Sequence, residues 1–203
     1  MNITGIILSG GRGRRLGSVE KALLHIGKET LLERKIGQLK LLCAEILVVT
    51  NNPERYAGGN YRVVRDLKEN IGPLMGLYSG LKNSRTEYNF ITAPDMPFFN
   101  IKLWQKLKSL LCRFAGDYKV FIPRIEAGYE PLFAFYSNRC LPAIEQAIDQ
   151  GGRSIYSFFE QVRVRQLNEQ ELRKYDPGLL SFININTGKE LTAVRNQILG
   201  AGG

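Results

Sequence analysis

The stretch MNITGIILSGGRGRRLGSVEKALLHIG, residues 1–27, decides how the rest of the chain is understood. Ile3 to Leu8 form a mostly apolar run that leads directly into Gly10 and Gly11. Arg12, Gly13, Arg14, Arg15, Gly17 and Lys21 follow within a few positions. An apolar run without polar alternation reads as a strand buried on both faces. Glycines let a backbone approach a ligand closely and turn its N–H groups inward, which suits phosphate oxygens. Arginine and lysine add charge-assisted hydrogen bonds. So much positive charge after a buried strand points to a bound anion. A flexible charged turn would not account for the clustering.

Working outward, strand-like runs alternate with helical patterns. The strand-like runs are EILVVTN, YRVVRD, YNFIT, KVFIP, PLFAFYS, VRVRQL and LLSFINI. Helical periodicity covers residues 30–42, PLMGLYSGLKN, NRCLPAIEQAIDQ, SIYSFFEQ and a last segment from about Thr187. NIKLWQKLKSLLCRF is amphipathic, with Ile101, Leu103, Leu107, Leu110 and Leu111 on its apolar side. The alternation predicts an α/β fold, Rossmann-like, with a mostly parallel sheet covered by helices on both faces. Ligands of such sheets bind outside the carboxyl ends of the strands, so the loops that follow strands carry the chemistry.

The 203 residues are 44% hydrophobic, enough for one domain with a core. No linker-like stretch divides the chain, and residues 200–203 are expected to fray. Lys and Arg number 28 against 19 Asp and Glu, a formal charge of +9 that suits an acidic partner. Cys43, Cys112 and Cys140 are widely spaced and form no C-x-x-C pair. They read as free thiols in a reducing compartment, neither a disulfide framework nor a zinc site. The single histidine, His25, removes a His-rich metal site and is expected to pack after the KALL segment. No secretory signal and no run of about 20 apolar residues is present, so a cytoplasmic protein without membrane contact is expected.

Two phosphate motifs fail. A P-loop needs Lys after its second glycine, and Ser18 follows Gly17. A dinucleotide fingerprint needs a third glycine where Leu16 stands, and an acidic residue where Thr50 and Asn51 stand. Residues 8–21 instead resemble the L-x-G-G-x-x-x-R-x-G-x(3)-K signature of nucleotidyltransferases. Within that group the chain is most similar to the molybdenum cofactor guanylyltransferases. GPLMGL, TAPDMPF, EPLFAFY, GGRS and FININT match further landmarks of that family in the same order and span most of the chain. Ser9, Leu16 and Glu20 depart from its common alanine, methionine and aspartate by mild changes of size.

The residues themselves support several roles. In YNFITAPDMPFF a strand runs into Asp95, with Pro94 and Pro97 fixing the backbone. One carboxylate there is enough to hold Mg²⁺ against phosphates, because the ion takes few protein carboxylates. In FININT, Asn184 and Asn186 alternate with apolar residues and share a face if the segment is a strand. Asn186 or Thr187 is alternatively the N-cap of the last helix. Asn51 and Asp66 follow the second and third strands along one crevice. Guanine offers N–H donors that an amide or carboxylate oxygen accepts; Thr50 or Asn52 could stand in for Asn51, and turn chemistry explains the same residue types. Gly72 and Leu74 would pack on the base or ribose. Arg124, Glu130, Arg153 and Ser154 would face the acceptor.

The resemblance implies a nucleotide-diphospho-sugar transferase-like fold. Residues 1–100 would bind nucleotide and 101–199 the acceptor. Leu8, Ser9, Gly10, Gly11, Gly13, Lys21, Asn51, Asp66, Gly72 and Asp95 would contact nucleotide, and Asp95 would be the Mg²⁺ ligand. Arg15, Lys21 and Asp95 would be the catalytic residues. Asn184, Asn186, Glu130 and Arg153 would assist the metal or the acceptor. It also implies the reaction: GMP passes from GTP to the terminal phosphate of molybdenum-molybdopterin, and pyrophosphate leaves. Proteins that deliver or receive the cofactor would be partners. Sister enzymes use CTP or act on sugar phosphates. A non-enzymatic nucleic-acid-binding protein would explain the charge alone, but no RNP, zinc-finger or helix-turn-helix pattern accompanies it.

Overall fold

β1 (Ile3–Leu8), β4 (Glu45–Thr50) and β6 (Tyr88–Thr92) lie side by side and parallel, with β1 in the middle. Their side chains alternate between two apolar layers. Ile3, Ile7, Val48 and Phe90 enter one, and Ile6, Leu47, Val49 and Ile91 enter the other. That is why these runs show no polar alternation. The full sheet has eight strands, in the order β10-β7-β9-β6-β1-β4-β5, with β8 beside β7. The added strands are β5 (Arg62–Arg65), β7 (Val120–Ile125), β8 (Gly128–Tyr129), β9 (Phe133–Ser137) and β10 (Val164–Asn168). β2 (His25–Ile26) and β3 (Glu29–Thr30) form a separate hairpin. The computed structural model describes residues 1–10, 20–56, 58–68 and 71–200. Gly11, Gly13 and Arg15 lie outside the described residues, as do residues 201–203; Gly200 ends a helix.

Helices α1 (Leu31–Lys40) and α3 (Ile101–Phe114) cover the first layer, and α2 (Pro73–Asn83) and α4 (Leu141–Asp149) the second. α5 (Glu169–Leu172) is one turn, and α6 (Gly188–Gly200) packs on the β2–β3 hairpin through Ile26, Leu31, Ile185, Leu191 and Val194. α1 begins with a capping box between Thr30 and Glu33. α2 approaches β1 closely because Gly80 has no Cβ; one would stand 2.7 Å from Ile6 Cγ2.

β9 is the one main-sheet strand that runs against both neighbours, β6 and β7. The short connection from β7 leaves no room for the crossover that a parallel strand needs. LLSFINI is not a strand. A 3-10 turn, Leu180–Phe182, leads into an extended segment with no ladder partner among the described residues. SIYSFFEQ is a 3-10 helix, Ile155–Gln161. On α3, Trp104 joins Leu103, Leu107 and Leu111 in the buried face, Leu110 is partly buried, and Ile101 is 44% exposed at the helix start. His25 points to solvent; its carbonyl accepts two hydrogen bonds from Arg195.

Lys35 breaks the pattern of α1. It is 1% exposed and sits in the apolar stripe of Leu31, Leu32, Ile36 and Leu39. Its Nζ has no hydrogen-bond partner among the described residues and lies 5.2 Å from the centre of the Phe99 ring. Burial pushes its ammonium down to about 7. Between pH 7 and 10.5 the unfolded chain keeps a proton that the folded chain has released, so stability rises with pH through that window and is lowest below it. Lys35→Met is expected to raise the unfolding free energy at pH 7 by about 1–4 kcal/mol. It should also flatten this rise in denaturant titrations across the window; an unchanged pH slope would contradict the assignment.

Candidate active site

The sheet changes direction of growth at β1, with β4 on one side and β6 on the other. In an open sheet that switch point opens a crevice at the carboxyl ends. Here the ends of β1, β4, β5 and β6 bring together Leu8, Ser9, Gly10, Asn51, Asp66 and Asp95.

Lys21 is the central side chain. Its Nζ donates to Asp95 Oδ2 at 2.9 Å and to Asn186 Oδ1 at 2.7 Å. Asp95 follows β6, and Asn186 precedes α6. The Ile185 N–H donates to the Asp95 carbonyl at 2.8 Å, which docks the second segment on the first. Thr187 is the helix cap: its Oγ1 accepts from the Glu190 N–H, while Glu190 Oε2 accepts from the N–H groups of Asn186 and Thr187. These bonds hold the Glu190 carboxyl below its ordinary range. With Thr187 capping, the Asn186 amide is left for Lys21. Asn184 instead donates to the Phe182 carbonyl.

Beyond β1 the backbone is pinned. The Ser9 N–H donates to the Val49 carbonyl at 2.8 Å, and the Ser9 hydroxyl lies 2.8 Å from the Tyr56 hydroxyl. Tyr56 is buried, which pushes its phenol up to about 12. Glu20 accepts from the Asn52 amide and pairs with Arg55 at 3.5 Å. Of the three candidates at the end of β4, Thr50 accepts from the Asn52 N–H and Asn52 is committed to Glu20. Asn51 Oδ1 is buried and has no hydrogen-bond partner among the described residues. A Cβ built on Gly10 would stand 3.7 Å from Asp66 Oδ2 and 3.9 Å from Asn51 Nδ2, so Gly10 keeps open the space between them.

At the start of α2, Gly72 has φ 106°, a conformation that favours glycine. The GGRS loop packs on it, and the Arg153 carbonyl accepts from the Leu74 N–H at 3.1 Å. The Arg153 side chain is exposed, whereas Leu74 is fully buried in the α2 layer and does not line the open crevice. Glu130 also reaches this edge. Thr92 at the end of β6 pairs with Phe133 at the start of β9; Asp95 lies three residues past one and Glu130 three before the other. Burial alone pushes the Glu130 carboxyl up to about 7.

The donor set suits a hard divalent cation. The Asp95 carboxylate and the Asn186 amide oxygen converge on one cationic atom, and Mg²⁺ asks for one or two carboxylates with water and phosphate completing its shell. No group of three or more His, Cys, Asp or Glu gathers among the described residues. Sequence patterning overlooked Tyr56, Glu20 with Asn52, and Glu190. Only Glu190 carried a local signal, because Thr187-x-x-Glu190 is a capping box.

Comparison with known proteins agrees with this architecture. Residues 5–166 match the model of the MobA-like NTP transferase domain. A molybdenum cofactor guanylyltransferase of Desulfosudis oleivorans is 38% identical over 189 residues, covering 93% of this chain and 92% of the relative. That of Syntrophotalea carbinolica is 32% identical over 197 residues, covering 97% and 92%. The crystal structure of molybdopterin-guanine dinucleotide biosynthesis protein A from Archaeoglobus fulgidus superposes with a TM-score of 0.82 at 26% identity, over 98% of this chain and 100% of that one. A 4-diphosphocytidyl-2C-methyl-D-erythritol synthase from Anaerococcus prevotii shares the fold, with a TM-score of 0.69 at 15% identity over 98% of each chain.

A Cβ on Gly72 would meet the Arg153 carbonyl oxygen at 3.0 Å at a backbone angle unsuited to L side chains. Gly72→Ala is therefore expected to cost about 1–3 kcal/mol. The midpoint of thermal unfolding should fall, and amide exchange at Leu74 should accelerate as the GGRS loop detaches.

Proposed function

The chain belongs to the MobA-like NTP transferase domain family and is a nucleotidyltransferase, and on that premise we propose that it moves GMP from GTP to the terminal phosphate of molybdenum-molybdopterin. The observation that carries this reading is Lys21, held between Asp95 and Asn186 at the switch point of the sheet. An acceptor phosphate oxygen attacks the α-phosphorus of GTP, the bond to the bridging oxygen breaks, and pyrophosphate leaves. The nucleophile is already anionic, so no general base is required, and the exposed His25 has no part. The transition state needs alignment and charge neutralisation. Lys21 and Arg15 hold the triphosphate, together with the N–H groups of the glycine loop. Asp95 and Asn186 would hold Mg²⁺, which supplies positive charge at the phosphates.

The buried oxygen of Asn51, without a hydrogen-bond partner among the described residues, supports guanine as the base, since guanine presents N–H donors on its pairing edge. Asp66 shares that side of Gly10. The half of the crevice formed by residues 1–100 takes the nucleotide. Residues 101–199 present Arg153 and Glu130 toward the acceptor.

Incubation with α-labelled GTP, Mg²⁺ and molybdopterin should give a labelled dinucleotide and pyrophosphate. CTP in place of GTP should give little. Lys21→Ala and Asp95→Ala are each expected to lower the rate by about 10²–10³ with unchanged circular dichroism, the usual cost of one lost charge-stabilising contact. Full activity in a folded Asp95→Ala variant would refute the assignment.

A further inference from the structure

Glu20 stands at the N-cap of the 3-10 turn Lys21–Leu23, yet its side chain makes no capping hydrogen bond. An acidic N-cap ordinarily accepts from the N–H groups of its own turn. The Glu20 carboxylate is spent instead on the segment after β4. Its Oε1 accepts from the Asn52 amide and lies 3.5 Å from the Arg55 guanidinium. That segment continues as the 3-10 turn Pro53–Tyr56, which reaches back to the exit of β1, where the Tyr56 hydroxyl lies 2.8 Å from the Ser9 hydroxyl. The turn has its own anchorage. The Tyr56 ring is buried in the layer beneath α1 and α3, and the Tyr56 carbonyl accepts from the Tyr61 hydroxyl at 2.9 Å. One turn therefore grips Ser9, which precedes Gly10, and Glu20, which precedes Lys21.

We infer that Asn52 and Tyr56 are positioning residues for a nucleoside triphosphate: they clasp the Gly10 backbone and the backbone of Lys21 at a fixed separation before the phosphates arrive. The inference rests on the reading of the crevice as a nucleoside triphosphate site. A long lysine side chain on a loose backbone has to be ordered at the moment of binding, and that cost is subtracted from affinity. With Glu20 fixed by Asn52, the backbone that carries Lys21 is ordered in advance. Neither Asn52 nor Tyr56 touches the phosphates in this scheme, since each acts through the neighbour it holds. The effect falls on the phosphates and spares the base, because Asn51 Oδ1 accepts from none of these groups.

The test is isothermal titration with GTP and with GMP, each with Mg²⁺, since GMP lacks the β- and γ-phosphates. Tyr56→Phe keeps the buried ring and removes only the hydroxyl, while Asn52→Ala alters an exposed side chain. Each variant is expected to weaken GTP by about three- to tenfold, the equivalent of one lost hydrogen bond, and to leave GMP within about twofold of the wild type. A merely structural role would lower the thermal midpoint without changing the ratio of the two affinities. Unchanged GTP affinity in either variant would overturn the inference, and so would an equal loss for GTP and GMP. Titration with CTP and CMP separates the clasp from the guanylyl-transfer reading. If the wild type holds CTP as tightly as GTP, and both variants weaken CTP but not CMP, the guanine reading falls and the clasp stands. If the wild type prefers GTP and transfers GMP, but the variants bind GTP as the wild type does, only the clasp falls.

Discussion

The ammonium of Lys21, shared by Asp95 and Asn186, joins three segments that are far apart in the chain. The backbone of each residue that aims a side-chain oxygen at it is held in place by something else. The Asp95 carbonyl accepts from Ile185, and Asn186 is fixed by the Glu190 carboxylate at the head of α6. Ile185 is fully buried against the hairpin and α6. The cost of ordering the site therefore falls on apolar packing and helix capping, and the ion pair itself adds little. Its side chains are 18% and 21% exposed, so the cost of desolvating both charges offsets much of their attraction. A contact that contributes so little can be exchanged. The proposed function requires such an exchange, with a triphosphate and a divalent cation taking the place of the pair.

The antiparallel β9 has a comparable effect on a larger scale. In a fully parallel sheet, the start of each strand lies on the edge away from the crevice. By running backwards, β9 places its first residues at the crevice, beside the end of β6. The turn that carries Glu130 thus faces the loop that carries Asp95. The loop after α4 returns to the same edge, where the Arg153 carbonyl meets α2. Two halves of one sheet thus present loops to the same edge.

The strands and long helices were legible because burial on both faces leaves continuous apolar runs, as in residues 88–92, and burial on one face leaves a stripe, as in α3. The charged, glycine-rich stretch after β1 stands out in the sequence because it interrupts such a run, but residues 11–19 lie outside the described residues. What misled was FININT. Its alternation resembles a strand, yet the segment has no ladder partner among the described residues; it alternates because Ile185 is anchored and Asn186 reaches Lys21. The reversal of β9 follows from connection length, which apolar pattern does not encode. Lys35 could not be found by pattern at all, since a lysine in an apolar stripe reads as a stripe edge until its burial is seen. Pairwise commitments such as Asn52 with Glu20 depend on tertiary proximity and leave no local trace.

The charge of +9 suits an acidic partner without saying which one. Much of the cationic surface is already engaged away from the crevice. Arg62 pairs with Glu45, Arg139 with Glu87 and Arg173 with Glu169, while Lys108, Arg163 and Arg165 lie over aromatic rings. Such residues still contribute to the long-range field that draws anions toward the molecule. They do not decide what stays bound. At that edge of the sheet the described residues include three acids, Asp66 just past β5, Glu130 just before β9 and Asp95 on Lys21. A nucleic-acid backbone would pass all three with a phosphate at every step and be repelled. In the proposed reading a nucleotide would meet them differently, with its base donors toward Asn51 and Asp66 and its phosphates toward Lys21 and a cation on Asp95. The distribution of acids inside the basic shell therefore favours a small nucleotide over a nucleic acid, which the net charge alone does not.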